Sequence, residues 1–276
     1  MTSKTNIAIV APASRITPEL AEHVRAIAER LYGERTALHF HPQCFLSGGH
    51  FAGTDTERAD ALIEVANDPR FDAVWFARGG YGSGRIADKV IQNLKRSAWD
   101  KLYIGYSDLG YLLAGLYKEG LSVAHGPMPA DLRRDNGAMT VARALKYLLE
   151  RAPDTLEPSV SADHPSAAFN ITVLNHILGT MLEPDLSDHV LMLEDVSEHM
   201  YRIDRSLHHI TSFASIRRVI GIRLGRVSDV PPNDPDFGLD EETVMKHWCT
   251  VSGIPYLGRA DIGHDIENKV VPFGRL

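Results

Sequence analysis

"KLYIGYSDLGYLLAGLY", residues 101–117, changes from one periodicity to another within a single turn. Lys101–Tyr106 is short, mostly apolar and partly aromatic, and reads as a buried strand. Leu109, Leu112, Leu113 and Leu116 then recur at helical spacing. Ser107 stands on the turn between them, and two readings of it are open. A Ser or Asp just ahead of a helix caps it, because the side-chain oxygen accepts a hydrogen bond from a free backbone N–H. Alternatively, a sharp strand-to-helix turn presents the serine as a nucleophile, where helix N–H groups and the helix dipole stabilise developing negative charge. Gly105-Tyr106-Ser107-Asp108-Leu109 lacks the second glycine of G-x-S-x-G, so the turn alone does not decide.

The same strand-helix alternation extends outward on both sides. Strands are expected at 6–12, 36–41, 72–77, 101–106 and 121–124, and helices at 18–32, 55–67, 86–94, 108–119 and 138–149. That order specifies a parallel sheet covered on both faces, with ligands gathering beyond the carboxyl ends of its strands. The Pro- and Ser-rich stretch at 151–168, "RAPDTLEPSVSADHPSAA", reads as a linker. Beyond it come a helix from Ile171, strands at 189–193 and 220–224, helices at 203–213 and 240–248, and a final run from Pro255. The division is therefore 1–150, a linker at 151–168, and 169–276.

Composition narrows the chemistry. The chain has 276 residues, 44% of them hydrophobic, enough for one large or two modest domains. A net charge of −7 without a basic run speaks against a nucleic-acid surface. Cys44 and Cys249 lie far apart and outside any C-x-x-C motif, so no disulfide or zinc framework is indicated. No stretch reaches membrane-spanning length and the N-terminal apolar run is too short for a secretory signal, so a cytoplasmic protein is expected.

Three further stretches can carry chemistry. "VWFARGGYGSGRI" at 74–86 follows an apolar strand, and its glycines either serve a tight turn or bring backbone donors into a cleft shared with Ser107. It lacks the P-loop pattern, and no acidic residue closes the next strand as a dinucleotide site requires. In "HVLMLEDVSEHMYRIDRSLHHI" at 189–210, Glu194 and Asp195 end a strand. They pair with Arg202 or Arg205, or one of them orients a histidine. "PYLGRADIGHDIENKVVPFG" at 255–274 places His264 in a glycine-bounded turn. His39, His41, His208 and His209 lack metal-ligand spacing, so no metal is expected.

Taken in order, "VAPAS" at 10–14, "FAGTDTERADAL" at 51–62, "RGGYGSGR" at 78–85, "IGYSD" at 104–108, "AHGPM" at 124–128, "LEDVSEHMYRIDR" at 193–205 and "GH" at 263–264 resemble successive motifs of the LD-carboxypeptidase family, which also contains microcin-immunity peptidases. The resemblance spans nearly the whole chain. It implies an α/β fold with a Rossmann-like parallel-sheet N-terminal domain and a smaller β-rich α+β C-terminal domain, the site lying between them. It implies Ser107 as nucleophile, Glu194 and His264 as its partners, and the Gly80 and Asp108 N–H groups as oxyanion donors, with Asp108 also serving as a cap. Arg78, Gly79 and Tyr81 would contact substrate, Arg78 either meeting a carboxylate or bracing the glycine turn. The implied substrate is a murein tetrapeptide that loses D-alanine from an L-centre in cell-wall recycling. A cytoplasmic homodimer without cofactor or metal, nucleic-acid or membrane partner is implied with it. The competing readings are a microcin-type acyl-peptide amidase on the same triad and a non-catalytic peptide- or muropeptide-binding domain.

Three departures from the family pattern carry expectations of their own. "AAFNITVL" at 167–174 keeps Asn170 but loses two glycines, which would alter substrate contacts. The final motif keeps Asn268, Pro272 and Gly274, yet the sequence stops at Leu276, so a last element would be absent or replaced. "RVSDVPPNDPDFG" at 226–238 lacks the usual cysteine-containing run, which would change a loop and not the chemistry.

Overall fold

Alternating strands and helices in the first half of the chain supply five strands of a six-stranded sheet, in a computed structural model that describes residues 4–276. The elements are β1 (Thr5–Val10), α1 (Pro18–Tyr32), β2 (Thr36–Phe40), α2 (Asp55–Asn67), β3 (Ala73–Phe76), α3 (Ala87–Gln92), β4 (Leu102–Gly105), α4 (Gly110–Lys118), β5 (Ser122–His125) and α5 (Gly137–Glu150). Local chemistry starts the helices. The Thr17 side chain accepts from the Leu20 N–H ahead of Pro18, and Thr54 with Glu57 forms a reciprocal capping box. Strands β2, β1, β3, β4 and β5 lie side by side and parallel, and strand order reverses between β1 and β3. A short late strand, β10 (Val271–Pro272), pairs antiparallel with the outer edge of β5.

The second half carries β6 (Ser166–Asn170), α6 (Ile171–Ile177), β7 (Val190–Val196), α7 (Met200–Ser212), β8 (Gly221–Ser228), α8 (Glu241–Ser252) and β9 (Tyr256–Arg259). Its four strands run parallel in chain order, with a helix in each connection. This half therefore repeats the α/β plan on a smaller, separate sheet, where the family resemblance implies a smaller β-rich α+β domain. The expected linker is also too long: its last residues, Ser166–Ala168, open β6. Small side chains there give no β-branched signal, and burial between two sheets makes the strand.

The two halves share one core. Leu112, Leu113 and Leu116 of α4 belong to the same buried cluster as Phe169, Val173 and Leu174. Gly110 permits the approach, because a Cβ there would lie 2.9 Å from Val173 Cγ1. Helices α1 and α5 cover the other face of the first sheet through Leu20, Val24, Val141 and Leu145. The segment around β10 stitches the sheets together: Ser166 and Gly274 exchange backbone hydrogen bonds of 3.0 and 2.9 Å, and the Phe273 N–H donates to Val123 O at 3.0 Å. Cys44 and Cys249 are buried and unpaired, and burial pushes their thiols up to about 12 and about 11. Among the described residues no helix is long and apolar enough to cross a membrane.

Candidate active site

Strand β4 ends at Gly105, and the chain enters α4 through a tight turn in which Ser107 holds φ +61°. That left-handed conformation costs a residue with a Cβ about 1–3 kcal/mol and persists only where its surroundings enforce it. The hydroxyl caps no helix, since neither the 107–109 turn nor α4 has a side-chain cap. The capping reading of Ser107 is therefore not met, and the sharp strand-to-helix turn is present.

Asp108 does not cap its own helix either. Its buried carboxylate reaches back to the glycine turn and accepts the N–H groups of Gly82 at 3.2 Å and Ser83 at 2.9 Å, while the Ser83 hydroxyl donates to Asp108 O at 2.5 Å. Burial pushes this carboxyl up, against those hydrogen bonds. The Gly82 and Ser83 donors are thus used internally and form no phosphate cradle. Arg58, fully buried on α2, donates to Gly82 O at 2.8 Å and to the Pro12 carbonyl, fixing the turn from below. Gly80 at φ +114° needs to be glycine, because a Cβ would lie 2.3 Å from Ser14 Oγ. Among the described residues no acceptor takes the N–H of Gly80 or Asp108.

Glu194 and Asp195, near the end of β7, point to opposite faces of its sheet, as the strand's two-residue period requires. Fully buried Glu194 accepts His264 Nδ1 through Oε2 at 2.6 Å. Asp195 instead serves the fold. It accepts Asn170 Nδ2 at 2.7 Å and the Thr172 N–H at 3.0 Å, and burial next to Glu194 pushes it up to about 6. Neither acid pairs with Arg202 or Arg205, since Arg202 pairs with Glu198 at 3.4 Å. Asn170 caps α6 by accepting the Val173 N–H at 3.1 Å.

With Nδ1–H donated to Glu194, the neutral imidazole presents a lone pair at Nε2. That nitrogen is buried and has no partner among the described residues. Burial pulls the His264 pKa down, but the charge and hydrogen bond of Glu194 outweigh it and the net shift is upward. Asn268, fully buried, holds the histidine turn: its Oδ1 accepts the Gly263 N–H at 3.2 Å and lies 3.1 Å from His125 Nε2 at the end of β5.

Ser107 and His264 line one cleft of about 580 Å³, together with Arg78, Gly79, Gly80 and Met128. No hydrogen bond joins the serine to the imidazole, whose ring centroid is 4.9 Å from that of Tyr106. Glu194 stands behind the imidazole. Tyr81 is not brought in: it is 56% exposed and packs near His50 and Phe51 beside a separate groove, because the turn reverses direction at Gly80 and Gly82. The sequence reading missed the cleft wall made by Tyr106, Asp131 and Arg134, in which the Tyr106 hydroxyl donates to Asp131 Oδ1 at 2.7 Å. It also missed the supports Arg58 and His125, and held Asn268 only as a motif residue without a role. A buried-face arginine in α2 was the available signal for the first of these. His39, His41 and His209 each have a side-chain or backbone neighbour of their own, and no group of three His, Cys, Asp or Glu that could hold a metal occurs among the described residues.

Comparison with known proteins places this geometry. Residues 7–126 match the LD-carboxypeptidase N-terminal domain and residues 167–276 the LD-carboxypeptidase C-terminal domain. The murein tetrapeptide carboxypeptidase of Pseudomonas aeruginosa is 26% identical over 285 residues, an alignment covering 98% of this chain and 91% of that protein. The crystal structure of muramoyltetrapeptide carboxypeptidase from Oxalobacter formigenes superposes with a TM-score of 0.80 at 25% identity, covering 97% of this chain and 93% of the other. A microcin C7 self-immunity protein shares the fold at a TM-score of 0.76 and 18% identity, covering 100% and 97%. With both of its domains matched in order, the chain belongs to the LD-carboxypeptidase family.

Proposed function

We propose that this protein is a serine-type LD-carboxypeptidase that removes the terminal D-alanine of murein tetrapeptides by hydrolysing the bond that follows an L-centre. The observation that carries this reading is that His264, hydrogen-bonded from behind by buried Glu194, lines a single cleft with strained Ser107. Family membership supports the substrate class, because relatives over the whole chain length are named for murein tetrapeptides.

His264 Nε2 takes the Ser107 hydroxyl proton as Oγ attacks the carbonyl of the L-centre. The missing serine-imidazole hydrogen bond forms when substrate closes the cleft, since such contacts are often long in a free enzyme. The Gly80 and Asp108 N–H groups hold the oxyanion. His264 returns the proton to the departing amine, D-alanine leaves, and a water deprotonated by the same nitrogen releases the acyl group from Ser107. Glu194 keeps the imidazole in the required tautomer and stabilises its cation. We expect a cytoplasmic homodimer working in wall recycling, as the family resemblance implies, with the dimer read by light scattering.

Incubation with a murein tetrapeptide followed by mass spectrometry should show loss of one alanine, and Ser107→Ala should abolish it. An unchanged tetrapeptide after prolonged incubation would refute the assignment. Cleavage of an acyl-sulfamoyl nucleoside instead would favour the microcin-type reading, and tight binding without cleavage a non-catalytic one.

A further inference from the structure

Three arginines line the cleft that holds Ser107: Arg78, Arg133 and Arg134. One of them is already paired. Arg134 Nε donates to Asp131 Oδ1 at 3.2 Å, and Asp131 also accepts the Tyr106 hydroxyl and, at 2.8 Å, the Met128 N–H. This carboxylate is therefore fully engaged.

Arg78 and Arg133 are differently placed. Their side-chain hydrogen bonds among the described residues go to main-chain carbonyls, Arg78 Nη1 to Arg15 O at 3.2 Å and Arg133 Nε to Ala130 O at 3.2 Å. No carboxylate of the described residues forms an ion pair with either. Arg78 is half-buried, and burial together with the charges of Arg133 and Arg15 holds its pKa below the usual arginine range. Converging cations at one edge of a cleft repel each other until an anion joins them. The chain as a whole carries a net charge of −7, so this positive edge is a local feature and not a property of the surface at large.

The chemistry of the last peptide bond supplies the anion. When one residue is removed, its free α-carboxylate lies within a single residue step of the scissile carbonyl, about 3.8 Å between Cα atoms. A cation that reads it must stand beside the nucleophile, and Arg78 comes two residues before Gly80 on the turn that faces Ser107. Planar guanidinium groups match a carboxylate in a two-pronged geometry that an ammonium cannot reproduce.

We propose that Arg78 and Arg133 form a clamp for the free α-carboxylate of the departing residue and so confine cleavage to the last peptide bond. This rests on the carboxypeptidase reading above and assigns the feature that makes the enzyme an exopeptidase. Arg78, anchored on the Arg15 carbonyl, is the fixed jaw. Arg133 is exposed and supplies the adaptable one.

The test compares a murein tetrapeptide with its C-terminal amide. The wild type should prefer the acid, and Arg78→Ala and Arg133→Ala should each lower kcat/KM on the acid by about 10- to 100-fold, the loss of one charged hydrogen bond, mainly through KM. The acid-to-amide ratio should collapse toward one in both variants and recover in part in Arg78→Lys. A ratio that stays at the wild-type value while both rates fall would overturn the clamp, as would a wild type indifferent to amidation. If the wild type cleaves neither peptide, the carboxypeptidase reading itself fails. Calorimetry on Ser107→Ala then decides the clamp separately: tighter binding of the acid supports it, and equal affinities overturn it.

Discussion

Ser107 combines two properties that substitution can separate, a strained backbone and a reactive hydroxyl. At φ +61°, glycine is more comfortable than serine, so Ser107→Gly should abolish turnover while raising thermal stability by about 1 kcal/mol. Calorimetric melting checks this, and a lower Tm would show that the hydroxyl stabilises the fold. If the three proposed residues act as one unit, Ser107→Ala, His264→Ala and the double variant should fall to nearly the same residual rate, about 10⁴- to 10⁶-fold below wild type. Losses that multiply would place the nucleophile elsewhere. The pH profile reports on Glu194. Because that carboxylate raises the His264 pKa above its usual 6.5, the acid limb of kcat/KM should lie above the ordinary histidine value, activity appearing as pH rises and the imidazole deprotonates. Glu194→Gln removes the charge, so the limb should move to lower pH as kcat drops. A limb that does not move would mean that another group titrates. Which of the two adjacent acids serves the histidine was legible only through the family motif: a two-residue period puts Glu194 and Asp195 on opposite faces, and periodicity alone does not say which face holds the cleft.

At the scale of elements, the site is a set of strand ends tied to one another by side chains far apart in sequence. The strands, helices and Ser107 turn of the first half could be read from periodicity, because each element buries one face against the same sheet. The ties could not. Asp108 looks like a cap in sequence and instead pins the Gly82–Ser83 backbone, and Tyr81 sits within the most specific motif yet turns away from the cleft. Both outcomes depend on the path of a glycine turn that no periodicity describes. The turn should be intolerant of a side chain: Gly80→Ala should reduce kcat by about 10²–10³, the usual cost of one misplaced oxyanion donor. Activity within a few-fold of wild type would remove Gly80 from that role. Asn268→Ala strips partners from the Gly263 N–H and from His125 at once. It should cost about 1–3 kcal/mol of stability and lower kcat more than it raises KM. Unchanged kcat in a destabilised protein would reduce Asn268 to a structural residue.

For the whole molecule, the boundary between the halves is clear in the sequence as a Pro- and Ser-rich stretch, but their mutual dependence is not. Helix α4 buries leucines against Phe169 and Val173, and the segment around β10 returns from the far end of the second half to close the edge of β5. Such returns join residues whose patterns are unremarkable one by one. The shared core predicts a single calorimetric unfolding transition, and two resolved transitions would show that the halves are thermodynamically separate. It also predicts that residues 1–150 expressed alone aggregate, since they expose an unpaired strand and the bare face of α4. The position of β10 also sets the order of events during synthesis. A chain emerging from the ribosome makes Ser107 early and must wait, with one strand of its sheet unpartnered, until Val271 and Pro272 arrive to pair beside His125 and Ala124. His264 arrives in the same late segment, so the chain closes its vulnerable edge and receives its proposed base together.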